Sequence, residues 1–369
     1  MIEKLQVENY RSFPAYAVNG VKRVNLLTGR NNSGKTSLLE AVLFLNSDGD
    51  PSILADIAIR RGELIATEFT RVPGRIDSMV DVAHFFHGHQ LSPEAMFSVS
   101  AGDVRKQVIV RIANQSDFER QLPMIDIDDD PSNYAIAIER PLTNRSKSPI
   151  PIPLTADGGF RLYDARRYQR TAFQQDSTTP LQLITPDSLD ASEMGRLWNA
   201  VIRERKEEKV NESLRILDET IEDVQFLNDE ERSVRSGRGG IVLGSNRHHR
   251  RMPLGSYGEG MRRLLALSIS LATVSNGILL IDEIDTGLHH SVLADMWKLV
   301  IATAVKNDIQ VFATTHSLDC LRGLNEACER NPEFASEISL QTIDRNLDVS
   351  ISGDADDLRS AMDMGIEVR

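Results

Sequence analysis

Gly29 to Thr36 reads GRNNSGKT and carries every fixed position of the string GxxxxGK[ST]. The apolar run VNLLT stands before it and GKTSLLEAVLFL follows, so the string lies between an expected strand and an expected helix, as it must. Glycines let backbone N–H groups turn inward on a phosphate, and a helix N-terminus favours negative charge. The expected phosphate-contacting set is therefore Gly29, Asn31, Asn32, Ser33, Gly34, Lys35, Thr36 and Ser37. In this arrangement Lys35 reaches the β and γ oxygens of a nucleoside triphosphate, and the Thr36 hydroxyl ligates Mg²⁺. A chance glycine-rich turn could share the string but not its strand and helix context.

Phosphoryl chemistry also needs carboxylates. Ile278 to Glu283 (ILLIDE) is an apolar strand ending in two of them. Asp282 is expected to hold Mg²⁺ directly or through water, and Glu283 to polarise the attacking water. Alone, such a string reads equally well as a solvated strand end; beside a phosphate loop it reads as catalytic. His316, in ATTHS, ends the next apolar strand. Adjacent parallel strands end on one side, where open α/β sheets bind ligands, so His316 is placed at the γ-phosphate or the water. A structural histidine is the plainer alternative.

These residues need a sheet to position them. From residue 258 the sequence alternates helix 258–275, strand ILLID, helix 291–306, strand QVFATT, helix 318–330 and strand ISLQTI, then a short partner DVSIS and a last helix 354–364. Strands this apolar belong to a buried parallel sheet. The expected fold class is α/β, a P-loop head with a mixed or parallel sheet, built from residues 1–45 and 180–369. Residues 46–179 contain short alternating segments such as VRKQVIVRIA and are read as a β-rich insertion. Within 190–230, Leu197, Val201, Val210, Leu214, Leu217 and Ile221 recur among charges and predict an amphipathic helical arm serving dimerisation.

Composition narrows the classes. Hydrophobic residues make 41% and charged residues 26% of 369, ordinary for a folded soluble protein, which excludes disordered and fibrous classes. Apolar runs fall far short of the ~20 residues a membrane span needs. MIEKLQVENYRSF has no secretory pattern, so a cytoplasmic location with no membrane partner is expected. Cys320 and Cys328 share one expected helix and read as inert thiols. His84, His87 and His89 lack a carboxylate or cysteine of useful spacing and read as an exposed edge of the insertion. A net charge of −12 argues against polyanion binding by overall field, so DNA contact would need a local patch. Arg235, Arg238, Arg247, Arg250 and Arg251 form the richest candidate, with a solvated basic loop as the alternative.

Leu254 to Arg263 (LGSYGEGMRR) precedes the ILLIDE strand by one helix. That order resembles the ABC-type ATPases, whose signature residues close over the nucleotide of a partner subunit. The resemblance implies that Ser256, Gly258, Glu259 and Gly260 act in trans, and that Asp285, Gly287 and Leu288 form a D-loop. Glu259 stands where transporters carry a second glycine, which suits the chromosome-maintenance branch; a transporter subunit finds no coupling clue. Ser256 and Glu259 would equally make a helix capping box. LQLITPD (181–187) is similar to the Q-loop region of RecF, which implies Gln182 as a Mg²⁺ and water sensor, a surface amide being the alternative. NYRSF (9–13) resembles a strand end of RecF-like proteins, which implies Arg11 near the nucleotide.

The resemblance is nearest to the ATPase half of the OLD family and its two-gene phage-defence relatives. It implies ATP and Mg²⁺ as ligands and a homodimer or higher oligomer sandwiching two nucleotides. It further implies regulation of a separately encoded TOPRIM-like nuclease or other effector in anti-phage defence. A RecF-like DNA-repair ATPase that binds DNA and recruits partners is the alternative reading.

Overall fold

The computed structural model describes residues 1–65, 79–102, 106–118, 131–140, 149–162, 165, 179–187, 189–227 and 240–364. Val24–Thr28 is buried at every position, as an inner strand covered on both faces requires. It sits in a six-stranded sheet ordered Leu181–Ile184, Ile278–Ile281, Gln310–Thr314, Val24–Thr28, Ile338–Thr342, Ile351–Gly353. The first five strands run parallel, and the last returns antiparallel on Ile338–Thr342. The fold is thus α/β with a mixed sheet, as the sequence led one to expect.

Strand alternation assigns the two faces. Leu279 and Ile281 pack into a core with the helices Ala191–Arg203, Glu259–Thr273, Leu293–Lys306 and Leu318–Arg330, whereas Ile278 and Leu280 face the core around helix Lys35–Asn46. Asp282 follows with the Leu280 parity, toward that helix. Lys35–Asn46 is buried from Ser37 to Asn46, the pattern of a helix covered all round. A second sheet supplies its other cover. The order there is Phe13–Val18, Leu5–Tyr10, Met96–Ser100, Gln107–Asn114, Pro131–Glu139, Ile150–Thr155, all antiparallel.

That sheet corrects the expected division at residues 45 and 46. The N-terminal hairpin pairs directly with the inserted strands, Val7 opposite Val99, so the insertion completes a sheet begun at residue 5. The segment 46–179 also opens on a helix, Pro51–Arg61, started by an Asp50 side chain that accepts from the Ser52 amide. His84 and His89 lie in short 3₁₀ turns, not on a strand edge.

The expected arm at 190–230 is also corrected. It comprises the helices Ala191–Arg203 and Glu207–Leu214 and the strand Ile221–Phe226. Arg205, at φ 54, turns the chain between the helices. Met194, Leu197, Trp198 and Val201 recur at helical spacing and are buried in one core with Leu264 and Leu265 of Glu259–Thr273, so the apolar stripe has its partner within the chain. Ile221 and Val224 mimic helical spacing because a register shift between Ile221 and Asp223 brings both to the buried side of a strand. Cys320 and Cys328 are buried on Leu318–Arg330, and burial raises both thiol pKa values, Cys328 to about 11. No helix of the described residues is long and apolar enough to cross a membrane.

Trp198 is 5% exposed and stacks on Phe226 at 5.2 Å. Trp198→Ala is expected to lower the unfolding free energy by roughly 3 kcal/mol in a denaturant titration. A change below ~0.5 kcal/mol, the range of surface substitutions, would mean that the helix stands free of the body.

Candidate nucleotide site

The loop between Thr28 and Lys35 is shaped by backbone that only certain residues accept. Gly29 has φ 134, and a Cβ there would lie 2.5 Å from the Ile343 carbonyl oxygen. Gly34 has φ 100, and a Cβ there would meet the Phe13 ring at 2.3 Å. Asn32, at φ 62, takes the left-handed conformation that Asn tolerates. The helix that follows has no side-chain cap and no acid in its first turn, so its N–H groups are left for an anion. Among the described residues the buried Ser33 Oγ has no hydrogen-bond partner, which also suits a bound polar group. Lys35 Nζ donates to the carbonyls of Gly29 (2.8 Å) and Arg30 (2.9 Å), holding the ammonium inside the loop. Burial lowers its pKa, while Asp282 and Glu283 pull the other way.

Three segments meet at the carboxyl edge of the sheet. Thr36 Oγ1 donates to Asp282, 3.2 Å from Oδ1 and 3.1 Å from Oδ2. Thr314 Oγ1 donates to Asp282 Oδ1 at 2.6 Å and accepts from the Glu283 amide at 2.8 Å. Glu283 leaves the strand at φ 49, and its Oε2 accepts from Thr286 Oγ1 at 3.1 Å. His316 Nδ1 lies 3.7 Å from Glu283 Oε1, with both side chains partly exposed. The structure therefore brings Lys35, Thr36, Asp282, Glu283 and His316 to one edge. A half-buried cation, a hydroxyl–carboxylate pair and an exposed carboxylate–imidazole pair can hold a triphosphate with its divalent ion and direct a water.

Three expected site residues face elsewhere. Arg11 is 4% exposed and binds Glu63 through two hydrogen bonds of 2.7 and 3.0 Å, with Glu40 3.1 Å from its Nε. Its charge is spent on two carboxylates, Glu40 of the loop helix and Glu63 just past the helix Pro51–Arg61. Ser37 is buried, and its Oγ accepts from Arg61, which also pairs with Glu40 at 2.7 Å. Gln182 lies mid-strand on the face opposite Leu181 and Leu183, which pack toward the loop helix, and its amide donates to Glu193 at 2.9 Å. Alternation thus turns Gln182 away from Thr36 and Asp282.

In the segment resembling a signature, Ser256 is exposed in the 3₁₀ turn Leu254–Tyr257, and Gly258 at φ 88 opens the helix Glu259–Thr273 with no side-chain cap. The capping-box alternative is thereby excluded: Ser256 lies outside the helix, and Glu259 pairs with Arg262 at 3.4 Å. Gly260 packs on the turn after the carboxylates, where a Cβ would meet the Gly287 carbonyl oxygen at 2.7 Å. In that turn Asp285 accepts from Thr315 Oγ1 at 2.6 Å. Arg235 and Arg238 lie outside the described residues. Arg247 and Arg250 are exposed between the strands Ile241–Ser245 and Met252–Pro253, and Arg251 is tied to Asp223 at 2.5 Å. Among the described residues no group of His, Cys, Asp and Glu forms a metal cluster.

Not foreseen from the sequence are Thr314, which joins the Asp282 carboxylate to the Glu283 amide N–H, and Arg263, which donates to the backbone behind them. ATTHS offered a signal for the first, since a hydroxyl beside an expected strand end is a ready partner for a neighbouring carboxylate. Nothing local marks which of Arg262 and Arg263 turns inward except the helical phase.

The sequence model of the AAA_21 family, described as "AAA domain, putative AbiEii toxin, Type IV TA system", matches residues 24–321. The chain belongs to the AAA_21 family. That match runs from the first central strand into the helix after His316, so it takes in every residue gathered at the edge. An "ATP/GTP phosphatase" of Helicobacter pylori is 23% identical over 358 residues, covering 92% of this chain and 91% of that protein. The "DNA replication and repair protein RecF" of Francisella tularensis subsp. novicida is 40% identical over only 45 residues, 12% of this AAA_21 chain and 13% of that one. Among solved structures, the SMC head domain of Thermotoga maritima aligns at TM-score 0.42 and 14% identity, over 95% of this chain and 98% of that one.

The Arg11 cluster makes a direct prediction. Arg11→Gln leaves Glu40 and Glu63 short of their buried cation and is expected to cost about 3–5 kcal/mol of stability, with ATP affinity changed less than about threefold (under ~0.7 kcal/mol). Titration of a fluorescent ATP analogue together with thermal melts checks this. Lost affinity at unchanged stability would return Arg11 to the nucleotide.

Proposed function

We propose that this AAA_21 chain is an ATP-binding and ATP-hydrolysing switch that works as a dimer. The observation that carries the reading is the Thr36–Asp282 hydrogen bond beside a lysine-bearing phosphate loop, with Glu283 turned outward next to His316. Lys35 and the uncapped N–H groups of the loop helix hold the triphosphate, and Asn31, Asn32, Ser33 and Gly34 shape the cradle. Thr36 and Asp282 would hold Mg²⁺, which neutralises charge on the β and γ oxygens when bound. Glu283 orients and polarises a water for attack on the γ-phosphorus, giving ADP and phosphate, and His316 steadies its carboxylate. The near full-length likeness to a protein named ATP/GTP phosphatase supports hydrolysis as the reaction.

The exposed Ser256, lying before an uncapped helix, favours contact with a γ-phosphate across a dimer interface. Closing two heads on shared ATP makes the dimer depend on nucleotide by linkage. We extend the reading to the control of a separate effector, a TOPRIM-like nuclease or toxin acting in phage defence, in keeping with a family description that names a toxin–antitoxin system. A role in DNA repair has narrower support, since the likeness to RecF spans 45 residues.

Lys35→Ala is expected to abolish ATP binding while leaving the melting temperature within a few degrees, because a half-buried side chain outside the core is removed. Equal affinity in wild type and variant would overturn the site. Glu283→Gln is expected to retain ATP and shorten the distance between labels on two heads, and Ser256→Arg in that background to abolish the shortening. Shortening that survives Ser256→Arg would contradict action in trans.

A further inference from the structure

Arg263 is 2% exposed on the helix Glu259–Thr273, little more than one turn beyond Gly258. Among the described residues no carboxylate pairs with it. Its guanidinium donates instead to three backbone carbonyls: Thr185, Asp282 at 2.6 Å and Glu283 at 2.9 Å. Burial lowers its pKa to about 10, opposed by the charges of Asp282, Asp285, Glu283 and Glu259. Burying a guanidinium against neutral acceptors is expensive, and a planar fork with several donors is the side chain that can span carbonyls from two strand ends.

Two of those carbonyls belong to residues whose side chains make the site. Asp282 and Glu283 send their carboxylates toward Thr36 and His316 and their carbonyls toward Arg263. Glu283 holds φ 49, a conformation that a non-glycine residue keeps only when its surroundings fix it. The Thr314 hydroxyl fixes it at the N–H, and Arg263 fixes it at the C=O. The same helix begins at the Ser256–Gly260 segment and rests through Gly260 on the Gly287 carbonyl of the turn after Glu283. A shift of the helix start therefore moves both the Arg263 support of Glu283 and the Gly260 contact on the turn that follows it.

We infer that Arg263 is a positioning residue, which sets the Glu283 carboxylate through its backbone and couples the Ser256–Gly260 helix start to hydrolysis in the same subunit. This rests on the proposed role of Glu283 in directing water. Among the described residues the hydrogen bonds of Arg263 all go to backbone carbonyls, so it acts through the backbone of Glu283 and not on the reacting atoms.

The test uses the full chain and measures ATP turnover and melting temperature for wild type, Arg263→Lys and Arg263→Gln, each alone and with Glu283→Gln. Lysine keeps the charge and glutamine keeps two N–H donors, so either variant that folds decides the matter. The expected result is a kcat at least tenfold lower with KM changed less than threefold, because Lys35, Thr36 and Asp282 still hold the substrate. In the Glu283→Gln background the same substitutions should alter residual turnover less than twofold, since the group they position is already disabled. Losses that multiply independently, or a raised KM with kcat unchanged, would overturn the inference and leave Arg263 a structural residue. Wild-type turnover matched by both variants would also overturn it while leaving the hydrolase reading intact. Absence of wild-type turnover would instead remove the hydrolase reading on which it rests.

Discussion

The Asp282 carboxylate is the joint of this molecule. It accepts from Thr36 on the loop helix and from Thr314 on the adjacent strand, so groups far apart in sequence are fixed on one pair of oxygens. The parallel register makes this possible, with Ile281 beside Ala313 and Ala313 beside Leu26. A slip of one residue in Ile278–Ile281 would turn Asp282 to the opposite face and place Ile281 under the loop. The apolar residues of that strand thus select the side on which the Asp282 carboxylate lies.

Around this joint the two sheets clamp the loop helix. The central sheet presents Leu280 and Phe312 to it, and the antiparallel sheet presents Val7 and Val99 to the same core. Beneath it the Arg11–Glu40–Arg61 pairs tie the helix to the N-terminal hairpin and to Pro51–Arg61. A buried network of this kind adds little net stability, but removing one member leaves an uncompensated charge, so it fixes position. On the opposite face the helix Glu259–Thr273 reaches the joint through Arg263. The site is held from the loop side by sheet and ion pairs, and from the far side by Arg263 of the helix Glu259–Thr273.

The legible parts were those in which local pattern and global fold agree. GRNNSGKT, ILLIDE and ATTHS each carry their chemistry at the end of a strand that announces itself as apolar, and the parallel sheet follows from three such strands separated by helices. Arg11, Ser37 and Gln182 failed for a different reason. Position near a motif does not fix which face a side chain takes, and for Gln182 the alternation of Leu181 and Leu183 held the answer. For Arg11 the partners Glu40 and Glu63 are far away in sequence, and no local pattern pairs them. Ile221 misled because a strand irregularity imitates helical spacing. The antiparallel sheet was hidden because its first two strands precede the phosphate loop and the rest follow it.

In the proposed function, Thr36 and Asp282 form the divalent-ion half of a nucleotide site whose other half is the Lys35 loop. Calorimetric titration of ATP into the full chain, in Mg²⁺ and in EDTA, tests it most directly when repeated with Asp282→Asn. Wild type is expected to bind ATP at least tenfold more tightly with Mg²⁺, a coupling of ~1.4 kcal/mol, and Asp282→Asn to lose most of that difference while retaining the weaker EDTA affinity. Wild-type affinity unchanged by Mg²⁺, or a Mg²⁺ effect of equal size in Asp282→Asn, would contradict it.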